Sequence, residues 1–389
     1  MKLLNTLLFL FVTLLLAACN TTTVRTTQSE PVVQASTIIP EELLLDVSVG
    51  IFDPNITDDK TEESNGYIKI LEAEARFMPF KLMETIQGTG NWGVVRIIPN
   101  HQSEMDVRVD GKIIKSDGAT LELDITVSDS SNKKWYSKHY KEEASKYAYE
   151  RSLTKGYEPF QGLYNKIAND MLLYYRKLNA NEITTIRTVS QLRFAKRFSP
   201  EAFGEHIKID SNGRYIVKRL PAKNDPVLQR IENIRQRDNM FIDTLQEYYG
   251  NFVLQMEEPY REWRRAYYEE GEALRAVNAQ STQRLVGGVL AVLAGILAQG
   301  SDSNVVRAAG QVAVVAGGAG VVSGINKREE ARIHIAALQE ISASLDAEIE
   351  PHTLTLEERT VTLTGSVNEQ YAQWQQILRE IYQNETGGI

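Results

Sequence analysis

Three consecutive segments between Met105 and Tyr140 alternate apolar and polar residues, and nothing else in the chain limits its fold as strongly. They are MDVRVDGKII (105–114), TLELDITV (120–127) and KKWYSKHY (133–140). A period of two predicts half-buried strands, because successive side chains leave opposite faces of a sheet. The intervening KSDGA and SDSSN carry the Asp-Gly and Ser/Asn chemistry of hairpin turns. The three segments are therefore predicted to form an antiparallel meander.

Upstream, LLLDVSVGIF (43–52) is a β-rich run closed by Asp53-Pro54, and Val94–Ile98 is a short strand closed by Pro99. Between them Ile68, Leu71, Ala75, Leu82, Met83 and Ile86 recur at helical spacing, with Pro79 a place where a helix starts or kinks. Downstream, Phe160, Leu163, Ile167, Met171 and Tyr174 or Tyr175 share one face of a helix ending near Leu178. The order β-α-β-β-β-β-α predicts a mixed-sheet α/β sandwich over 43–180. Beyond it the step lengthens to three and four. Asp225-Pro226 supplies an N-cap acceptor and a first-turn proline, followed by Ile231, Ile234, Phe241, Leu245, Tyr248 and Phe252. Asp238 occupies one seam position, where it either pairs with a neighbouring Arg or marks a frayed seam. The helix is expected to continue past a bend at Pro259. A second long helical pattern follows Ile325, and QYAQWQQILREIYQ is a last amphipathic helix. The fold class is accordingly α+β: an N-terminal sandwich, a basic connector (181–224) in which HIKID-SNG-RYIVKRL reads as a hairpin turning at Gly213, and a long-helix region (225–389).

That helical region contains a glycine-rich hairpin, 285–325. Leu285–Ala298 and Ala308–Ile325 hold fourteen and eighteen residues, nearly all small or aliphatic, around the turn QGSDSN. Gly287, Ala291 and Gly295, then Ala316, Gly320 and Gly324, repeat a small residue every fourth position, which allows close helix–helix approach. At roughly 21 and 27 Å the two arms are short and borderline for a membrane span. Three accounts stay open: insertion into a thin outer membrane as an oligomer, pairing with itself or another copy in the periplasm, and a packed soluble core hairpin.

Residues 1–19, MKLLNTLLFLFVTLLLAAC, have a Lys2 n-region, an apolar stretch from Leu3 to Leu16, and small residues before Cys19, the chain's one cysteine. This is secretory-signal patterning, shorter than a comfortable span. Leu16-Ala17-Ala18-Cys19 resembles the lipobox of bacterial outer-membrane lipoproteins. The resemblance implies a signal peptide over 1–18, a diacylglycerol thioether on Cys19, and acylation of its new amino group. Acyl chains of that number hold a protein stably on a membrane. Asn20 stands where an Asp would resemble an inner-membrane retention signal, so the implied location is the outer membrane, facing the periplasm. Residues 19–42 are Thr/Ser-rich without periodicity and are expected to be a flexible tether, reaching on the order of 70 Å.

A single cysteine excludes an intrachain disulfide framework and any multi-thiolate metal site. His101, His139, His206, His334 and His352 show no ligand-like spacing, and no metal or cofactor is expected. Gly88-Thr89-Gly90-Asn91-Trp92-Gly93 matches G-x-G-x-x-G, yet a helix precedes it and a strand follows, the reverse of a dinucleotide cradle. A net charge of −8 argues against a dedicated nucleic-acid binder. Within 186–223, however, nine Lys and Arg face three Asp and Glu. Arg193, Lys196, Arg197, Lys218 and Arg219 are candidates for contact with lipopolysaccharide or anionic lipid, or with an acidic partner, against the plainer reading of a solvated face balancing nearby acidic helices.

DVSVGIFD, VVRIIP and DVRVDGKIIKSDGATLELDITVSDSSNKKWYSKHY, with Asp106, Gly111 and Asp129 at pattern positions, resemble periplasmic domains of the TolB N-terminal and curli-secretion (CsgG) type. That resemblance covers about a quarter of the chain, implies an envelope-complex role and carries over no catalytic residue. The expectation is a non-enzymatic structural or assembly component of a cell-envelope or export complex. Its partners would be membrane lipid through acylated Cys19, and further copies of itself or envelope proteins. The alternatives are an envelope hydrolase with an unrecognised site and a monomeric glycan- or lipid-binding lipoprotein.

Overall fold

The computed structural model describes residues 30–56, 65–98, 104–145, 147–150, 158–298, 336–338, 340, 341, 343, 352–355 and 360–386, with backbone alone for 65–67, 270–298, 352–355 and 360. Its centre is a five-stranded mixed sheet in the order β2-β1-β3-β4-β5. The strands are β1 (Val47–Gly50), β2 (Val95–Ile98), β3 (Val107–Ser116), β4 (Thr120–Asp129) and β5 (Lys134–Glu143). β1 is parallel to both β2 and β3, and β3-β4-β5 form the antiparallel meander predicted from their alternation. The parallel pair β1–β2 needs a crossover, and α1 (Asn65–Gly88) supplies it.

Alternate residues of the strands build the core. Val47, Val49, Ile97, Val107, Val109, Leu123, Ile125 and Val127 are buried on the side where α1 and α2 (Gln161–Tyr175) pack. The other face of the meander is polar: His139 bonds Asp124 (2.8 Å), Thr126 bonds Ser137 (2.9 Å) and Lys141 pairs with Glu122 (3.2 Å). Such one-sided burial is what an antiparallel arrangement permits. Glycine is required at one position on the apolar side, since a Cβ on Gly111 would lie 2.5 Å from the Phe52 ring.

α3 (Ala180–Phe198), a one-turn helix (Pro200–Phe203) and the hairpin β6 (Ile207–Ile209)–β7 (Tyr215–Val217) follow. The hairpin turns at Gly213, φ 74°, as predicted. α3 replaces the first half of the expected connector. Its capping box, Asn179 with Glu182, starts a helix that buries Ile183, Ile186, Val189, Leu192 and Phe198. α4 runs from Pro226 to Ala298, 73 residues, or about 110 Å. Asp225 Oδ1 accepts from Val227 N and Leu228 N (2.9 and 3.1 Å), the expected N-cap. Pro79 and Pro259 both lie inside helices that continue past them. A short hairpin, β8 (His352–Thr355)–β9 (Thr360–Leu363), and α5 (Val367–Glu385) complete the described chain.

α1 lies between the sheet and α4. Phe77 meets Tyr260 edge-on at 4.9 Å, and Phe80 packs against Gly250. One cluster of buried side chains therefore continues from the sheet across the boundary expected at 224 into α4 and α5. α4 also closes the sheet's β2 edge. Gln246 Oε1 accepts from Ile97 N (2.9 Å) while its Nε2 donates to Ile97 O (3.0 Å), and Gln87 Oε1 accepts from Val95 N (2.9 Å). Side-chain amides thus stand where a neighbouring strand would be. Gln246→Leu should cost about 1–3 kcal/mol in urea unfolding, because it leaves both Ile97 groups without partners; an unchanged midpoint would remove this role.

The start of the described chain departs from the expected tether. Asn165 Nδ2 donates to Glu30 O (2.8 Å), Val33 N to Asn169 Oδ1 (2.8 Å), Asn91 Nδ2 to Val33 O (2.8 Å) and Ala35 N to Thr89 O (2.8 Å). Residues 30–35 are a strap on the sandwich, not free linker. From Cys19 to Glu30 is an eleven-residue step, at most about 37 Å.

Candidate functional site

The parallel strands begin together, and two aspartates knit their starts. Asp46, before β1, accepts from Val94 N through Oδ1 (2.9 Å), and Asp106, before β3, accepts from Asp46 N through Oδ2 (3.0 Å). These backbone N–H groups precede their ladders and would otherwise go unmet. α3 and α4 flank the same edge and leave a groove of about 710 Å³. Five carboxylates line it, Glu41, Glu42, Asp46, Asp106 and Glu232, against Arg187 and Arg235. Burial raises the Asp106 carboxyl above its ordinary range, with Arg235 and the Asp46 N–H opposing and the Asp46 charge adding.

The polar groups of this groove are committed to framework bonds. Arg235 donates to Glu104 O (3.1 Å) and Ser190 Oγ (2.8 Å), Ser190 donates to Glu104 O (2.7 Å), Arg187 donates to Glu41 O, and Gln191 donates to Glu232. Ser190 is fully buried, so its hydroxyl does not meet a substrate. His139 and Asp124 are each about half exposed (49%) on the open sheet face, and His206 Nδ1 faces Arg219 O at 3.0 Å. Among the described residues no group of three His, Cys, Asp or Glu is placed to hold a metal ion. The Gly88–Gly93 stretch is a helix-to-strand loop with Gly90 at φ 66°.

Two buried charged clusters join α4 to the rest. In one, Asp238 accepts from Gln375 Nε2 of α5 (2.7 Å) and stands 4.0 Å from Arg197 of α3, which pairs with Glu104 (3.2 Å). Burial pushes Asp238 up to about 6, with Arg197 lowering it and Glu104 raising it. Asp238 is thus the seam irregularity seen in the sequence, met by an arginine and an amide. In the other cluster Arg264 grips Glu158 through two nitrogens (2.5 and 2.9 Å) and lies 4.0 Å from the Tyr260 ring centre. Glu74 beside it accepts from Ser116 Oγ (2.6 Å) and Tyr260 OH (2.5 Å). Gly118, φ 73°, brings its Cα against the Arg264 carbonyl, where a Cβ would sit 2.4 Å away.

The residues singled out from sequence fare differently. Cys19, Ala316, Gly320 and Gly324 lie outside the described residues. Gly287, Ala291 and Gly295 fall on the helical backbone of α4, whose four-residue spacing sets them in line. The five basic candidates lie on two elements, Arg193, Lys196 and Arg197 on α3 and Lys218 and Arg219 just after β7. Arg193 donates to Ser130 O (2.6 Å) and stacks 4.4 Å over Tyr215, and Arg197 is held by Glu104. Lys196 is half-buried, while Lys218 and Arg219 are exposed on the hairpin. Among the described residues no helix is long and apolar enough to cross a membrane. No family model, no curated protein and no solved structure matches the chain, so its role is argued from these residues.

Proposed function

We propose that this chain is a lipid-anchored component of a bacterial cell envelope, held at the outer membrane and facing the periplasm. It acts by binding and self-association, not catalysis. The observation that carries the reading is Leu16-Ala17-Ala18-Cys19 behind an apolar stretch, with the chain's single thiol at the position lipidation requires. The patterning shared with TolB N-terminal and curli-secretion domains supports the same compartment.

Two lengths agree with it. The step from Cys19 to Glu30 reaches about 37 Å at most. The last described aromatic contact of α4 with the sandwich side is Tyr268 on Tyr149, and Leu285 follows seventeen residues later, about 26 Å along a helix. The reach from anchor to folded body is at least the length of α4 from that body to the glycine segment, so one bilayer is within range of both in this reading. The glycine lines serve self-association in this reading.

The test is acyl labelling of the full chain. Wild-type protein should take up a fatty-acid probe and carry Cys19 as its processed N-terminus, and Cys19→Ala should lose the label entirely. An unlabelled wild type, or a labelled variant, would overturn the assignment.

A further inference from the structure

The β6–β7 hairpin exposes large aliphatic side chains and cations together. Ile209, Ile216 and Leu220 are 57%, 41% and 68% exposed. Lys208, Arg214, Lys218, Arg219 and Lys223 are exposed among them. The nearby carboxylates are fewer: Asp210 is spent on the turn, accepting from Asn212 N and Arg214 N (2.8 and 2.9 Å), and Glu205 lies 3.6 Å from Lys218.

The pairing register explains the arrangement. Ile207 opposite Val217 is the inward pair, with Ile207 buried, so Lys208 opposite Ile216 is the outward pair. The hairpin is braced at its turn. Tyr215 N donates to Ser131 O (2.9 Å), Asn132 Nδ2 donates to Gly213 O (3.3 Å), and Arg193 stacks on the Tyr215 ring. The exposed aliphatics are thus presented by a braced element and are not an accident of a loose loop.

We infer that the outward face of the β6–β7 hairpin, opposite the face of Ile207 and Ile209, is a membrane-contact element that seats on an anionic, phosphate-bearing lipid surface through Ile216 with Lys208 and Lys218, continued by Arg219 and Leu220. Charge complementarity names the occupant. Protein interfaces are depleted in lysine at their cores and gather apolar residues into one patch. Here lysines separate the aliphatics along the hairpin. A bilayer interface accepts that pattern, since aliphatic tips enter between headgroups while lysine stems lie along them and place their charges at the phosphates. This contact goes beyond the acyl anchor and does not require it.

The test uses the unacylated polypeptide 20–389, which keeps every described residue, so that failure of the anchor and failure of the hairpin separate. Co-sedimentation is measured with phosphatidylethanolamine vesicles containing phosphatidylglycerol and with pure phosphatidylcholine vesicles. Binding should occur on the first, weaken with salt, and fall roughly fivefold for each cation removed in Lys208→Gln or Lys218→Gln. In this cysteine-free chain, Ile216→Cys carrying a fluorophore should become shielded from an aqueous quencher on the anionic vesicles only. Circular dichroism checks that these surface variants stay folded. Undiminished binding in the variants, or a label that stays quenchable, would assign membrane contact to another element and overturn the inference. A label shielded without vesicles as protein concentration rises would assign the face to a second copy instead.

Discussion

Arg264→Met should destabilise the protein by about 3–5 kcal/mol, the cost of leaving a buried carboxylate without its partner. The side chains of Arg264 and Glu158 are 3% and 8% exposed, so water cannot take over either charge. Burial alone would raise the Glu158 carboxyl, but the Arg264 charge and hydrogen bonds outweigh it and hold that group below its ordinary range. The guanidinium also fills the space over Tyr260, near Phe160 and Phe77. Methionine keeps that apolar contact and removes only the charge, so the loss reads the electrostatics. Urea unfolding measures it. Adding Glu158→Met should restore more than half of the loss, because two apolar groups replace an unpaired ion. A single-variant loss below about 1 kcal/mol would show that solvent reaches Glu158 and that the pair does not fasten α4.

Glu74 should make the protein less stable as pH rises from about 4.5 to about 7. Burial raises its carboxyl from 4.5 to about 7, with hydrogen bonds from Ser116 and Tyr260 and the Arg264 charge opposing. The folded state therefore holds a proton that the unfolded state has released. Its contribution is complete below the unfolded value, declines through this window and is gone above the folded value. The whole swing is on the order of 3 kcal/mol. Glu142, also raised to about 7 by burial, and Asp238, raised to about 6, add slopes of the same sign. Glu158 acts oppositely: its contribution is present above the ordinary glutamate value and is lost as pH falls below it. Stability should peak on the acid side of neutrality. Glu74→Gln keeps the shape and an acceptor oxygen for Ser116 and Tyr260, and should flatten the pH 5–8 slope of the thermal midpoint. Parallel slopes for variant and wild type would exclude Glu74 as the titrating group.

The sandwich was readable because its signals are local. Alternation over 105–140 places the three strands, Asp225-Pro226 places the start of α4, and Gly213 places a hairpin turn. α3 was missed because Thr184, Thr185 and Thr188 dilute its apolar face and lower its helix preference, so only the cations of 186–223 stood out. Composition could not say that Arg193 and Arg197 point inward while Lys218 and Arg219 point outward, since that depends on which face packs. β8–β9 falls between the helical patterns of 326–350 and 370–383. The contacts that fasten the parts have no local signature at all. Asn169 reaches Val33 over 136 positions, Gln246 reaches Ile97 over 149, and Arg264 reaches Glu158 over 106. Asp238 alone announced its contact, as a carboxylate in an apolar seam.

The glutamine closure of β2 has a consequence for assembly. A sheet normally offers two edges on which another chain can add a strand, and two open edges allow indefinite growth. Here Gln87 and Gln246 already occupy the outward groups of Val95 and Ile97, and β5 is the other terminal strand. A partner that joins by strand pairing must do so beside β5, among Lys138, His139 and Lys141. Two copies meeting through that edge would use it up on both sides, giving a closed two-fold pair that has no further edge to extend. Edge pairing through this sheet thereby stops at two copies.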